Sequence, residues 1–205
     1  RATSGGAAEF GVVPVENSTE GVVARSLDLF LNTPLSIVGE TSLYVRHNLL
    51  RKVEGFDGLK AVCAHPQALA QCHTWLNDHL PQVERRPVAS NAEGARLASL
   101  DPALAGIASD RAAGEYGLHT LAPAIQDDPH NRTRFAVVAL PESHPQPRAT
   151  GHDCTSLVVS VPNRPGAVHD MLVRLKHHGV SMTRFESRPA RSGQWEYFFY
   201  IDIDG

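Results

Sequence analysis

Polar residues that could bind a small anion follow several strand-like runs of this sequence, where helices are predicted to begin. These junctions are Glu16-Asn17-Ser18, Ala64-His65-Pro66-Gln67, Ser90-Asn91 and Ser109-Asp110. In parallel sheets, ligands bind outside the carboxyl ends of strands, and helix N-termini offer N–H groups and a positive dipole end. The pattern therefore favours a site for a small anionic ligand, although any one junction taken alone is better explained as a helix cap.

The composition argues against several other kinds of function. The chain has 205 residues, with 19 basic and 22 acidic side chains and a net charge of −3, which does not suit a nucleic-acid or membrane partner. The longest apolar run, Phe135–Leu140, has six residues, far fewer than the ~20 that a membrane-spanning helix needs. Three cysteines without a Cys-x-x-Cys pair predict reduced thiols in a cytoplasmic protein, and the eleven histidines show no metal-ligand spacing.

The elements that must position the polar junctions alternate between strands and helices. Strands are predicted at Gly11–Val15, Leu35–Val38, Thr41–His47, Ala61–Ala64, Pro87–Ala89, Leu104–Ala108 and Phe135–Leu140. Asn17 with Glu20, and Ser90 with Glu93, form capping-box patterns that each predict a helix start. The alternation predicts an α/β fold with a mostly parallel sheet.

A proline-rich stretch divides the chain into two predicted domains. Residues 141–151 contain three prolines and no apolar period, so they are predicted to link a domain at 1–140 to one at 152–205. The second domain is predicted to form a strand, a helix and two more strands. This order is the first part of the ferredoxin-like βαββαβ unit, without its second helix and fourth strand.

Four short motifs resemble signatures of one enzyme family. They are Pro14-Val-Glu-Asn-Ser18 with Gly21, His65-Pro-Gln67 with Gln71-Cys72, Thr133-Arg-Phe135, and Glu186-Ser-Arg-Pro189. The first three resemble signatures of prephenate dehydratases, and the fourth resembles a motif of the ACT regulatory domain attached to these enzymes. Each motif alone is weak, whereas four in the family's order are strong evidence. The resemblance covers nearly the whole chain.

The resemblance implies both a fold and a reaction. The fold would be a two-lobed, periplasmic-binding-protein-like catalytic domain with an incomplete N-terminal lobe, followed by a truncated ferredoxin-like ACT domain. Residues from about 35 to 118 would form the uninterrupted lobe. The reaction converts prephenate to phenylpyruvate, carbon dioxide and water in L-phenylalanine biosynthesis, with feedback inhibition by L-phenylalanine. It implies no metal and no other cofactor, because formation of the aromatic ring drives it.

By resemblance, Thr133, Glu16 and Asn17 are the candidate catalytic residues. Thr133 would assist departure of the ring hydroxyl by donating a hydrogen bond, while Glu16 and Asn17 would orient substrate or water. Arg132 and Arg134 could pair with carboxylates, but strand alternation predicts that at most one of them faces the cleft. The candidate substrate-binding residues are Ser18, His65, Gln67, Gln71, Ser90, Asn91 and Arg134.

L-Phenylalanine is expected to bind between the ACT domains of two subunits, so the intact enzyme is predicted to be a homo-oligomer, a dimer or a tetramer. Pro165-Gly166 would place backbone N–H groups at a helix N-terminus, which suits a carboxylate. Read without the resemblance, it is an ordinary turn. The candidate effector residues are Gly166, Ala167, Val168, Glu186, Ser187, Arg188 and Pro189.

Both ends of the sequence are expected to be cut within structure, since it begins at Arg1 rather than Met and ends at Gly205 after a strand-like run. Relatives begin with a Gly-Pro-x-Gly-Thr-Phe-Ser segment that this chain lacks, so these residues alone are expected to show little dehydratase activity. An upstream chorismate mutase domain is left open. Ala64 replaces a serine or threonine common in relatives, which could weaken substrate binding. The alternative function is a non-catalytic small-molecule or amino-acid sensor, which the same fold pattern allows.

Overall fold

The described part of the chain forms helices and strands that assemble into three sheets. A computed structural model describes residues 2–142, 149–190 and 197–205. The helices are α1 (Ala24–Phe30), α2 (Pro66–Gln71), α3 (His73–His79), α4 (Asn91–Leu100), α5 (Asp110–Tyr116) and α6 (Ala167–His177). The strands are β1 (Gly11–Asn17), β2 (Gly21–Val22), β3 (Ser36–Tyr44), β4 (Asn48–Arg51), β5 (Ala61–Ala64), β6 (Glu84–Pro87), β7 (Leu104–Ala108), β8 (His119–Ala122), β9 (Arg132–Ala139), β10 (Cys154–Ser160), β11 (Met182–Pro189) and β12 (Tyr197–Asp204). No helix among these is long and apolar enough to cross a membrane.

The chain divides into two compact units. One comprises Arg1–Gly11, Arg25–Gly39 and Val138–Gly205, and the other comprises Val12–Ala24 and Glu40–Val137. The five-stranded sheet lies within the second unit. The predicted domain limits remain a prediction, because residues 143–148 of the predicted linker lie outside the described residues.

The five-stranded sheet has the order β6-β5-β7-β4-β8. Strand β5 pairs in parallel with β6 and β7, whereas β4 pairs antiparallel with β7 and β8. The prediction of a mostly parallel sheet is therefore wrong, since two of the four pairings are antiparallel. The reason is β4, which the sequence does not reveal, because its end residues Asn48 and Arg51 are polar although buried and leave only two apolar residues in a row, too few to predict a strand.

Both faces of this sheet are covered by helices. Leu49 and Leu50 are adjacent in β4 and point to opposite faces, where each joins a separate buried cluster. Leu49 packs with Val62, Leu76 and Ile107 among others. Leu50 packs with small residues of α4 and with the end of β7. The predicted strands Ala61–Ala64 and Leu104–Ala108 are confirmed, and their burial on both faces explains their continuous apolar runs.

Helix α4 contacts the backbone of this sheet directly at two glycines. A Cβ atom added at Gly94 would lie 2.3 Å from the carbonyl oxygen of Cys63, and one at Gly106 would lie 2.8 Å from the backbone nitrogen of Ala95. Glycine is required at both positions because any side chain would collide with main-chain atoms. The close packing holds the N-terminus of α4 beside the carboxyl end of β5.

The four-stranded sheet has the order β2-β1-β9-β3, and Asn17 lies at the turn that joins β1 to β2. Asn17 Oδ1 accepts the N–H groups of Thr19 and Glu20, both at 3.0 Å, and Gly21 follows with a φ of +82°. The predicted helix start at Asn17 is therefore wrong, and α1 begins only at Ala24. An asparagine side chain satisfies N–H groups in turns and at helix starts alike, so the capping pattern did not distinguish them.

Three predicted strands of this sheet are also revised. The runs predicted at Leu35–Val38 and Thr41–His47 form the single strand β3 (Ser36–Tyr44), and the strand predicted at Phe135–Leu140 begins earlier, at Arg132. Thr133 is therefore a strand residue, and its neighbours on either side point to the opposite face.

The third sheet has the order β10-β12-β11 and is accompanied by α6, so the predicted strand–helix–strand–strand order is confirmed. Asp202 is fully buried in β12. It accepts hydrogen bonds from Ser156 Oγ at 2.7 Å and from Arg184 Nη2 at 2.9 Å, and it forms an ion pair with the same guanidinium. These partners offset the desolvation of the buried carboxylate.

Helix α1 packs against this third sheet within the first unit. The Tyr200 hydroxyl donates to the carbonyl oxygen of Leu27 at 3.0 Å. The Arg188 guanidinium donates two hydrogen bonds to Asp28, at 2.9 and 3.2 Å. Arg188 is thus engaged with α1 through a bidentate pair.

Candidate active site

A cavity of about 310 Å³ lies in the second unit and is lined by most of the predicted catalytic and substrate-binding residues. It brings together Asn17 and Thr133, which were predicted to be catalytic, with five of the seven predicted substrate-binding residues. The lining residues are Asn17, Val45, His47, His65, Gln67, Ala68, Gln71, Ala89, Ser90, Asn91 and Thr133.

The orientation of Asn17 determines what the Thr133 hydroxyl can do. Because Asn17 Oδ1 accepts two turn N–H groups, its Nδ2 must face β9. There Nδ2 lies 2.8 Å from Asn131 Oδ1 and 3.0 Å from Thr133 Oγ1, and it can only donate to both oxygens. Thr133 Oγ1 therefore accepts from Asn17, which leaves its own proton to be donated to another group.

Two helix N-termini form another wall of the cavity. His65 precedes α2, with Pro66 at the first helical position, and its Nδ1 accepts the N–H of Gln67 at 3.3 Å. Ser90 precedes α4, and its Oγ accepts the N–H of Glu93 at 3.1 Å. Both predicted helix starts are confirmed. The helix dipoles make this wall favourable for negative charge.

The two helix starts are also linked to each other. The backbone N–H of His65 donates to Asn91 Oδ1 at 3.0 Å. Since Asn91 is the first residue of α4, this bond ties the end of β5 to the neighbouring helix. The predicted grouping of these junctions at one edge of the sheet is therefore observed for His65, Ser90 and Asn91.

His47 lines the cavity and Glu20 contacts another residue that lines it, but neither was predicted as a site residue. His47 is buried and lines the cavity, and its Nε2 lies 2.9 Å from Gln71 Oε1. Gln71 Nε2 in turn donates to Glu20 Oε1 at 3.2 Å. The sequence did contain one indication of His47, a histidine directly before a strand. Strand β4 was not predicted, however, so His47 was not considered as a site residue.

The structure places Glu16, Ser18 and Arg134 away from this cavity. They line a second cavity of about 230 Å³, together with Glu40, Ser42 and Arg132. Arg134 lies 3.2 Å from Glu16 and 3.3 Å from Glu40. The cause is strand alternation, because Glu16 and Asn17 are adjacent, as are Arg134 and Thr133. The prediction that strand alternation separates Arg132 from Arg134, so that at most one faces the cleft, is wrong in its reason: residues two apart on a strand share a face, and both arginines line the second cavity.

The buried cysteines are poorly suited to nucleophilic chemistry. Burial raises the pKa of the Cys72 thiol to about 12 and also raises the pKa of the Cys63 thiol. Both are therefore protonated at neutral pH, whereas a thiolate is the reactive form. Within the described ranges, no three His, Cys, Asp or Glu side chains are grouped so that they could hold a metal ion.

The predicted effector residues lie in the first unit. Gly166 precedes α6 with a φ of +81°, and a Cβ added there would meet no atom within 4 Å. Ala167 and Val168 form the first turn of α6. Glu186, Ser187, Arg188 and Pro189 end β11 and alternate between its two faces. Arg188 faces Asp28 of α1.

Comparisons with known proteins agree with the three motifs that resemble signatures of prephenate dehydratases. Residues 1–143 match the family described as PDT, prephenate dehydratase. A bifunctional chorismate mutase/prephenate dehydratase from Neisseria gonorrhoeae is 52% identical over 201 residues, which cover 97% of this chain and 54% of that protein. The chain thus spans about half the length of this curated relative.

Solved structures of similar fold cover the whole chain. A prephenate dehydratase from Arthrobacter aurescens in complex with L-Phe is 36% identical, with a TM-score of 0.89 over 100% of this chain and 68% of that one. GqqA, described as a novel type of quorum quenching acylase, is 28% identical, with a TM-score of 0.87 over 100% of this chain and 74% of that one. Since the family match covers most of its residues and the fold agrees along its full length, the chain belongs to the prephenate dehydratase family.

Proposed function

We propose that the whole protein converts prephenate to phenylpyruvate, and that the cavity at Asn17 and Thr133 is part of its active site. The observation that carries this proposal is the Asn17–Thr133 hydrogen bond, which directs the Thr133 hydroxyl proton away from Asn17. In the reaction, the bond to the ring carboxylate breaks to release carbon dioxide. Its electron pair forms a new ring double bond, an existing ring double bond shifts, and the ring hydroxyl leaves the opposite carbon as hydroxide, which becomes water by taking up a proton from solvent.

The chemistry asks for a hydrogen-bond donor and an environment that accepts two carboxylates. Thr133 would donate to the departing hydroxyl, where negative charge develops in the transition state. The N-terminus of α4 and the polar groups of Ser90, Asn91 and Gln67 would bind carboxylate oxygens of the substrate. A strong base or nucleophile is unnecessary, because formation of the aromatic ring supplies the driving force. A cytoplasmic location stays a prediction.

Turnover by the whole protein tests this function. We expect purified whole protein to form phenylpyruvate from prephenate, with release of carbon dioxide in equal amount. Binding of prephenate without product would favour the alternative of a non-catalytic sensor, which the family match does not support. The roles predicted for Glu16, Ser18 and Arg134 need variants of their own. These residues line the second cavity and would contact substrate only after a rearrangement.

Replacing Asn17 by aspartate tests how the Thr133 hydroxyl is directed. In Asn17→Asp, a carboxylate oxygen takes the place of Nδ2 and can only accept, so it would capture the Thr133 proton. We expect kcat of the whole protein to fall on the order of 10²-fold, as for loss of one transition-state donor, and KM to rise separately because the new carboxylate repels the anionic substrate. Steady-state kinetics with prephenate measures this. Asn77→Asp, on the exposed face of α3, is the matched control, and equal kinetics for the two variants would contradict the assigned role.

We also propose that L-phenylalanine inhibits the whole protein by binding near Gly166, between the third sheets of two subunits. The Arthrobacter relative was solved in complex with L-Phe, which supports the ligand but not its position here. The N-terminus of α6 offers N–H groups to the carboxylate of the ligand, and Glu186 could accept a hydrogen bond from its ammonium group. Arg188 would act through Asp28 of α1 rather than by touching the ligand, since its guanidinium is already bidentate.

Two substitutions at Gly166 separate bulk from backbone strain. We expect Gly166→Leu to abolish phenylalanine inhibition while turnover persists, because its side chain would fill the space beside the helix start. Gly166→Ala carries the same penalty of positive φ but little bulk, so it should retain most of the inhibition. Inhibition curves for both variants of the whole protein check this. If Gly166→Leu stays as sensitive as the parent, the effector site is misplaced.

A further inference from the structure

Three polar side chains form a hydrogen-bonded chain that ends in the cavity. Glu20 Oε1 accepts from Gln71 Nε2 at 3.2 Å, and Gln71 Oε1 lies 2.9 Å from His47 Nε2. Glu20 is at the exposed end, whereas His47 is 6% exposed and lines the cavity with Gln71. The chain connects the turn after β1 to the short segment between β3 and β4.

The chemistry of Glu20 fixes the direction of the whole chain. An ionised carboxylate can only accept, so the amide of Gln71 must turn its NH₂ group to Glu20 and its oxygen to His47. That oxygen can only accept, so the proton of the neutral imidazole must lie on Nε2. The other ring nitrogen, Nδ1, then carries the lone pair and is the acceptor that a neutral His47 can offer.

We propose that Glu20 is a positioning residue, which acts through Gln71 to hold His47 as the Nε2–H tautomer. The substrate role rests on the proposed function. At neutral pH, the only O–H donor of prephenate is its ring hydroxyl, because both carboxylates are ionised and the keto group only accepts. His47 Nδ1 accepts this hydrogen and thereby turns a lone pair of the hydroxyl oxygen toward the donor Thr133. His47 thus orients the leaving group before the C–O bond breaks.

The tautomer can be measured without any activity. The whole protein is labelled with ¹⁵N at histidine, and the ring nitrogens of His47 are identified by loss of their signals in His47→Gln. At a pH where the ring is neutral, we expect the parent to show the Nε2–H form. In Glu20→Gln, the new amide can present either end to Gln71, so a mixture of both tautomers is expected. A parent in the Nδ1–H form, or an unchanged ring in Glu20→Gln, would overturn the proposal.

A double variant should restore the tautomer of His47, which would not happen if Glu20→Gln merely disturbed the structure. In Glu20→Gln with Gln71→Glu, the carboxylate at position 71 accepts from both neighbours, so the Nε2–H form should return. Glu84→Gln removes an equivalent charge from the Arg86 ion pair on β6 and should leave the ring of His47 unchanged. Failure of the double variant to restore the tautomer would mean that Glu20 does not act through Gln71.

Kinetics then test the substrate role separately. In the whole protein, Glu20→Gln should lower kcat for prephenate by about tenfold, the effect of one hydrogen bond, with a smaller change in KM. An unchanged kcat despite a shifted tautomer would overturn the role of His47 toward the hydroxyl. If the parent itself does not turn over prephenate, the proposed function fails, and the substrate role of His47 is overturned with it. The tautomer result still decides whether Glu20 positions His47.

Discussion

Thr133→Ala in the whole protein is expected to lower kcat for prephenate by about 10²–10³-fold, the range for removing one donor to a developing oxyanion. The alanine loses the hydroxyl that accepts from Asn17 Nδ2 at 3.0 Å and whose proton is left to the substrate. The loss of stability should be only about 1 kcal/mol, because Asn17 Nδ2 retains Asn131 Oδ1 as an acceptor. Kinetics and urea unfolding of the same preparation measure both effects.

Two further variants give this experiment its contrast. Thr133→Ser keeps a hydroxyl at the same place, so its loss of turnover should be far smaller. Thr155→Ala removes a strand hydroxyl that donates to Gly205, in the other unit, and should leave kcat as it is. Near-normal turnover in Thr133→Ala would show that another group assists the departing hydroxyl.

Gly94→Ala is expected to destabilise the protein by roughly 3 kcal/mol or more, the upper range for overpacking. The added Cβ would lie 2.3 Å from the carbonyl oxygen of Cys63 and 3.4 Å from the Cα of Ala64. Strand β5 cannot withdraw, because it pairs with β6 on one side and β7 on the other. Equilibrium unfolding in urea, or the yield of folded protein if the loss exceeds the total stability, measures this effect.

The same substitution elsewhere in the chain is the matched control. Gly114 lies within α5, and a Cβ added there would meet no atom within 4 Å. Gly114→Ala should therefore raise stability by about 0.5–1 kcal/mol, as alanine usually does in a helix. Similar midpoints for the Gly94 and Gly114 variants would mean that α4 can lift away from the sheet.

Local signals predicted the helix starts at His65 and Ser90 correctly, because each depends on a few neighbouring residues. The strand at Leu104–Ala108 was also predictable, since a run buried on both faces is continuously apolar. Asn17 was misread because its side chain caps a turn with the same bonds as a helix. The chain from Glu20 through Gln71 to His47 could not be read at all, since its members are 51 and 24 positions apart and meet only through tertiary packing.

Along β1 and β9, side chains alternate between the two faces of one sheet, so that charged residues lie on one face and uncharged polar residues on the other. Asn17 and Thr133 present an uncharged amide and hydroxyl to the cavity, while their neighbours Glu16 and Arg134 form an ion pair on the other face. A carboxylate in the position of Asn17 would repel a single substrate carboxylate at 4 Å by about 4 kcal/mol at an effective dielectric of 20. Because side chains alternate along the strand, Glu16 lies next to Asn17 in sequence but on the opposite face of the sheet. The pleat therefore shields an anionic substrate in the cavity from the Glu16 carboxylate.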